Sequence, residues 1–417
     1  MNPPGIVNAV LLDPTNLRDA PGLWTIRFDG DRIGSVEKQN GRAAMPCPSG
    51  MLDARRGLVV PSLVDAHVHL DLAYSLTQVP PNDSGTLLEA IELWQEAKSH
   101  MLAPDVCERA LRAVRDEIAG GTGYIRSHVD VGSMADYRLC EGVLAARQQA
   151  KDLCFIELVA FPQDGLMRDP GAVDHLRRAM RDGVNLVGGI PHIESTQRDG
   201  LRHLEMVFDL AAEFDADIDV HIDETDDPHS VYAEYLASMT MERGWQNRVT
   251  ASHVCALGSY PDAHASRVID LIAAAQIAVV TNPGVNLHLQ GRFDRYPKRR
   301  GLTRVSELLA RGVPVAAGQD CIADPFYPLG NGKMLDQAFL LVHADHMNTS
   351  GAIRQAFDMV SGMAGRVIGL ARHAIVDDAP ANLAVFDAED VIELVRVRPT
   401  PHWTVYRGRV VAGTAAN

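Results

Sequence analysis

Four polar endings stand out, each closing a short run rich in β-branched residues: Asp65-Ala66-His67-Val68-His69, His221-Ile222-Asp223-Glu224, Ser252-His253 and Gly318-Gln319-Asp320. Side chains alternate between the two faces of a strand. His67 and His69 therefore share one face, as two ligands to one ion must. An H-x-H pair alone carries little weight. Three histidines and an aspartate, each at a strand end, suit one divalent transition metal with a position left open for water. The rival reading is a set of hydrogen-bonded core histidines.

Something must carry those endings to one place. From Leu58 onward, short apolar runs alternate with longer stretches of helical periodicity such as Ala110–Ala119 and Ser306–Ala310. Eight runs are read as strands: Leu58–His69, Tyr124–Val131, Cys154–Phe161, Leu186–Ile190, Ala216–Asp223, Val249–His253, Ile277–Thr281 and Val313–Asp320. Strand–helix alternation implies parallel strands, and eight repeats point to an α/β fold, a (β/α)8 TIM-like barrel. In such barrels reactive groups stand at the carboxyl ends of the strands, where the four endings fall. The ends of the chain read differently. Ile6–Leu12 and Leu23–Val36 (with a turn at Asp29-Gly30-Asp31), and then Asn382–Phe386 and Trp403–Val411, suggest two strand-rich arms. The expected organisation is a small β-sandwich domain built from residues 1–56 and 375–417, flanking a metal-dependent barrel over 57–374.

Composition narrows the function. With 39 Lys+Arg against 54 Asp+Glu the net charge is −15, which argues against nucleic acid or an anionic membrane as the main partner. The six cysteines are scattered and none forms C-x-x-C, which reads as a reduced, cytoplasmic protein. No run of about 18 apolar residues appears, so no bilayer span is expected.

With these residues in view, the chain resembles the amidohydrolase superfamily, and within it the cytosine deaminase branch. The resemblance runs from Pro61 through Asn382. It is sharpest at Asp65–Asp71 (DAHVHLD), His128–Val131 (HVDV), Phe161–Gly165 (FPQDG), Ile190–Glu194 (IPHIE), His221–Glu224 (HIDE), Asn286–Arg292 (NLHLQGR) and Asp324–Gly330 (DPFYPLG). It implies that His67, His69, His221 and Asp320 hold one divalent metal, Zn or Fe(II) with Mn as a further candidate. That metal would lower the pKa of a bound water. It implies Glu224 as the proton shuttle, His253 as the group orienting the attacking hydroxide with Asp320 as second acceptor, and Gln163 as the amide reading the ring edge. The expected reaction is hydrolytic deamination of a cytosine-type pyrimidine, with loss of ammonia. The expected partners are a small amino-heterocycle and further copies of the same chain. Two-metal members of the superfamily commonly use a lysine on strand 4. The five lysines here (38, 98, 151, 298 and 333) leave strands 4, 5 and 6 without one.

Two positions depart from the branch. Cys321 follows Asp320 where an acidic residue is common, and Phe326 stands where tryptophan is common. Thiol for carboxylate removes charge, and phenyl for indole frees volume and removes an N–H donor. Both suit a bulkier or more apolar ring edge, such as that of 5-methylcytosine. A larger ring (isoguanine, a pterin, creatinine), a cyclic amide hydrolase and a catalytically dead scaffold are the alternatives. His192-Ile193-Glu194 fits half of the H-x-E…P-C-x-x-C signature of another zinc deaminase class. The second half is missing, so His192 and Glu194 read as pocket residues. His128 and Asp130 read as structural, His288 as a loop brace, and the basic island Arg292–Arg300 as a salt-bridged loop or subunit contact.

Overall fold

The computed structural model describes residues 2–12, 19–40 and 43–413. Eight parallel strands follow one another around a barrel: β1 (Leu63–Val68), β2 (Thr122–Asp130), β3 (Phe155–Phe161), β4 (Leu186–Gly189), β5 (Asp217–Ile222), β6 (Val249–His253), β7 (Ala278–Thr281) and β8 (Val315–Ala317). Each pairs with its neighbours in sequence. Closure happens at the carboxyl end. Val68 bridges Asp320, the Asp320 N–H donates to the His67 carbonyl at 2.7 Å, and the His69 N–H donates to the Asp320 carbonyl at 2.8 Å. The outer faces of the strands pack on helices through one continuous apolar core that includes Val114, Leu176, Leu204, Leu236 and Ile269. Burial of such side chains, at about 25 cal/mol per Å², is the main stabilising term.

The strand-rich arms pair with each other. The order is Arg409–Gly413, Trp403–Tyr406, Leu383–Phe386, Leu58–Pro61, Gly5–Leu12, Asp19–Asp29, Arg32–Lys38, with Leu52–Asp53 beside Gly5–Leu12. Ile6, Ile26, Val59, Leu383 and Val405 form the small core under it. The run Leu58–His69, read as one strand, is two. Leu58–Pro61 lies antiparallel to Leu383–Phe386, and the barrel strand starts only at Leu63. Pro61 has no N–H to carry a ladder onward. The Ser62 N–H then turns to the Asn382 carbonyl, and that of Leu63 to Gly121. Among the described residues no helix is long and apolar enough to cross a membrane.

Candidate active site

The carboxyl ends of β1, β5, β6 and β8 bring His67, His69, His221, His253 and Asp320 into one cluster. All are at most 4% exposed. The backbone there is unusual. Asp223, His253 and Asp320 have φ of 50°, 73° and 67°, a left-handed region that side chains with a Cβ seldom occupy. Such conformations cost about 1–3 kcal/mol each and persist where surrounding structure over-determines them. Here they turn the chain sharply, so that the residues ending each strand face the barrel axis. Gly318 permits the approach of β8. A Cβ there would lie 2.6 Å from the His67 Cβ and 2.5 Å from the Asn282 Oδ1.

The cluster is tight. His69 Nε2 and His221 Nε2 are 3.1 Å apart. Asp320 Oδ1 lies 3.7 Å from His67 Nε2 and 3.6 Å from His69 Nε2. His253 Nε2 is 3.8 Å from Asp320 Oδ2, and its Nδ1 is 3.4 Å from Glu224 Oε1. His67 is common to two groups whose donor atoms lie within 4.8 Å of one another, one with His253 and Asp320, the other with His128 and His221. Among the described residues, His67 Nε2 and Asp320 Oδ2 have no hydrogen-bond partner although both are buried. Burial, then neighbouring imidazoles, holds His67, His128 and His221 well below the ordinary histidine range, so these rings are neutral. Burial, then the nearby Glu224, drives the Asp320 carboxyl well up. Neutral imidazoles and a carboxyl group with unsatisfied lone pairs, whose ionised form a cation would favour, are a donor set that a divalent cation fits.

A cavity of about 850 Å³ opens from this cluster. Its wall includes His69, His221, Glu224 and Asp320, together with Gln163, Cys321 and Phe326, so the structure gathers every candidate except the deeper His67 and His253 on one surface. Cys321 and Phe326 are 3% and 6% exposed, and Gln163 Oε1 is buried without a described partner. The Phe161 ring stacks on that of His221 with centroids 4.1 Å apart. His192 also reaches the cavity. Glu194 is held aside, accepting from the His203 Nδ1 at 2.7 Å and from the Leu166 N–H at 2.6 Å. Asp130 is bound away from the imidazoles, in an ion pair with the buried Lys98 at 2.7 Å. In the basic island Arg299 pairs with Asp294 at 2.7 Å, which agrees with a salt-bridged loop.

Several residues beyond those singled out by their spacing shape the site. Asn286 Nδ2 lies 3.1 Å from His253 Nδ1 and Asn282 Nδ2 3.3 Å from its Nε2, so two amides hold the ring beside Asp320. Helix α1 (Leu87–Lys98) supplies Leu87, Leu88 and Ile91 to the cavity wall. Nothing in the spacing of α1 marks it as part of a site. Ser252, Asp219 and Arg126 stand directly behind His67. Their signal was present as a period-two polar pattern inside apolar strands, Arg126-x-His128-x-Asp130 and Asp219-x-His221-x-Asp223.

Residues 101–412 match the model of the amidohydrolase family. This chain belongs to that family. The amidohydrolase is similar over 99% of its length to the crystal structure of 5-methylcytosine deaminase from Klebsiella pneumoniae liganded with 5-fluorocytosine. The identity is 35%, with 98% of that chain covered and a TM-score of 0.93. Pterin deaminase from Rhizobium rhizogenes is 29% identical over 99% of this chain and 95% of its own. The structure of N-isopropylammelide isopropylaminohydrolase from Burkholderia multivorans is 25% identical over 97% of each chain, with a TM-score of 0.82. The protein is an enzyme, a hydrolase of C–N bonds outside peptides.

Proposed function

We propose that this amidohydrolase deaminates a cytosine-type pyrimidine and prefers one with a substituent at carbon 5, as in 5-methylcytosine. The observation that carries the reading is the single wall on which Glu224 and Asp320 stand beside the buried, weakly polar pair Cys321 and Phe326. The similarity to 5-methylcytosine deaminase supports it. His67, His69, His221 and Asp320 would hold one zinc, iron(II) or manganese ion. Bound there, such an ion supplies Lewis acidity and brings the pKa of a water ligand toward neutrality.

The side chains do the rest. Gln163 presents an amide to the carbonyl and N–H edge of the ring and so fixes which carbon faces the histidines. Glu224 takes a proton from the attacking water and delivers it to the ring nitrogen. The remaining hydroxyl proton of the added water then passes by way of the same carboxyl to the departing amine, so that the C–N bond breaks, ammonia leaves and a carbonyl remains. His253, set by Asn286, orients the attacking oxygen against Asp320. The Phe161 ring on His221 and the thiol of Cys321 give this part of the cavity a weakly polar lining.

The test is ammonia release by metal-reconstituted enzyme from cytosine, 5-methylcytosine, isoguanine, a pterin and creatinine. A methyl group in a fitted pocket is worth ~1–3 kcal/mol, so kcat/KM for 5-methylcytosine should exceed that for cytosine by about 10–200-fold. Cytosine turning over faster would defeat the preference, and ammonia from none of the rings would defeat the reaction. The cavity of about 850 Å³ favours one second reading, a fused ring such as a pterin, which the same screen detects.

A further inference from the structure

Behind the imidazole cluster the barrel interior is charged. Such interiors are usually filled by layers of branched aliphatic side chains. Here β2, β3, β5 and β6 send in Arg126, Glu157, Asp219 and Ser252. Arg126 Nε donates to Glu157 Oε2 at 2.7 Å, and its Nη1 to Asp219 Oδ2 at 3.0 Å. The Ser252 hydroxyl donates to Asp219 Oδ1 at 2.8 Å, and His67 Nδ1 lies 3.0 Å from the same Ser252 Oγ. Arg126, Asp219 and Ser252 are 4%, 0% and 0% exposed.

The directions of these bonds follow from the groups. A carboxylate paired with a guanidinium only accepts, so the single hydroxyl proton of Ser252 goes to Asp219. The serine oxygen must then accept from His67. That places the ring proton on Nδ1 and leaves a lone pair on Nε2, the atom 3.7 Å from Asp320. Among the described residues the Nδ1 atoms of His69 and His221 have no such partner, so His67 alone of the three is oriented from behind by a side chain.

We propose that Ser252, braced by Asp219 and Arg126, is a positioning residue that fixes the tautomer in which His67 can ligate a metal. The inference rests on the metal reading of His67 given above. Partners of this kind are worth about 10–100-fold in metal affinity.

Zinc affinity is measured by competition of the apo-protein with a chromophoric chelator, for the unmodified chain, S252A and S252T. Thermal unfolding of each apo-protein runs alongside. S252A should bind zinc about 10–100-fold more weakly while the apo-proteins melt together, and S252T should recover most of the loss because it keeps the hydroxyl. A second readout needs no Ser252 variant. Nitrogen NMR of histidine-labelled apo-protein should show, beside rings such as His203 whose Nδ1 donates to Glu194, a further Nδ1-protonated ring whose signal is missing from H67Q. Unaltered zinc binding by S252A, or a His67 ring protonated at Nε2, overturns the positioning role. An unmodified chain that fails to bind zinc removes the metal reading itself, and this inference with it.

Discussion

Glu224 does the proton work in the proposed reaction, and its surroundings suit that role. Burial pushes its carboxyl up to about 8, and its near neighbour is a neutral imidazole rather than a cation. A general acid–base group contributes typically ~10²–10⁴-fold to a rate. E224Q should therefore lower kcat by that order, with substrate affinity and metal content close to those of the unmodified enzyme. Steady-state kinetics with metal analysis decides it, and a variant retaining a tenth of the rate would exclude Glu224 as the shuttle. Phe326 tests specificity rather than chemistry. F326W refills the slot, so the ratio of kcat/KM for 5-methylcytosine over cytosine should fall by about tenfold or more, a change in the ~1–3 kcal/mol range of one methyl contact. A ratio that does not move would release Phe326 from any part in specificity.

At the scale of elements, charged side chains seated in the fold hold the cavity walls. Lys98, the last residue of α1, is 0% exposed and ion-paired with Asp130 at the end of β2 and Asp164 just after β3. Removing one partner of a buried ion pair strands the other, at a cost of about 3–5 kcal/mol. K98M should be destabilised by that amount in denaturant unfolding, and its KM should rise because α1 lines the cavity. A K98M enzyme as stable as its parent would refute this. Glu194 plays a similar part between the loops after β3 and β4. Burial opposes its charge, but the bonds from His203 and from the Leu166 and Met167 amides outweigh burial and hold its carboxyl below the ordinary range. A carboxyl lowered in the folded state adds stability above its unfolded pKa and loses it as pH falls through the folded value. E194Q should thus melt lower near neutrality and show a shallower loss of Tm toward acid. Parallel Tm–pH curves for the two proteins would count against that bond set.

For the whole molecule, a ligand that binds only the folded state adds RT ln(1 + [L]/Kd), about 2.7 kcal/mol at a hundredfold excess over Kd. The donor atoms come from β1, β5 and the segment after β8, so an ion held there ties distant parts of the chain together. Stripping metal with a chelator should lower Tm by several degrees and abolish ammonia release, and added zinc should restore both. An identical melting curve with and without chelator would show that no ion joins those elements. The β domain sits at the other end of the barrel strands, where Pro61 and Ser62 hand the chain from the small sheet into β1.

Much of this was legible in the sequence because it is local. Period-two and helical patterns are properties of neighbouring residues, and they marked the eight barrel strands and both arms. The H-x-H pair, the His221–Glu224 ending and Asp320 could be read because a strand end fixes which face a side chain takes. Other features arise only between segments far apart in the chain. Ser252 behind His67, Lys98 between Asp130 and Asp164, Asn286 on His253 and the α1 side chains in the cavity wall are separated from their partners by tens to hundreds of residues. Whether a buried polar group is satisfied depends on which strands are neighbours and in what register. Closure of the barrel settles that, and no window of sequence contains it.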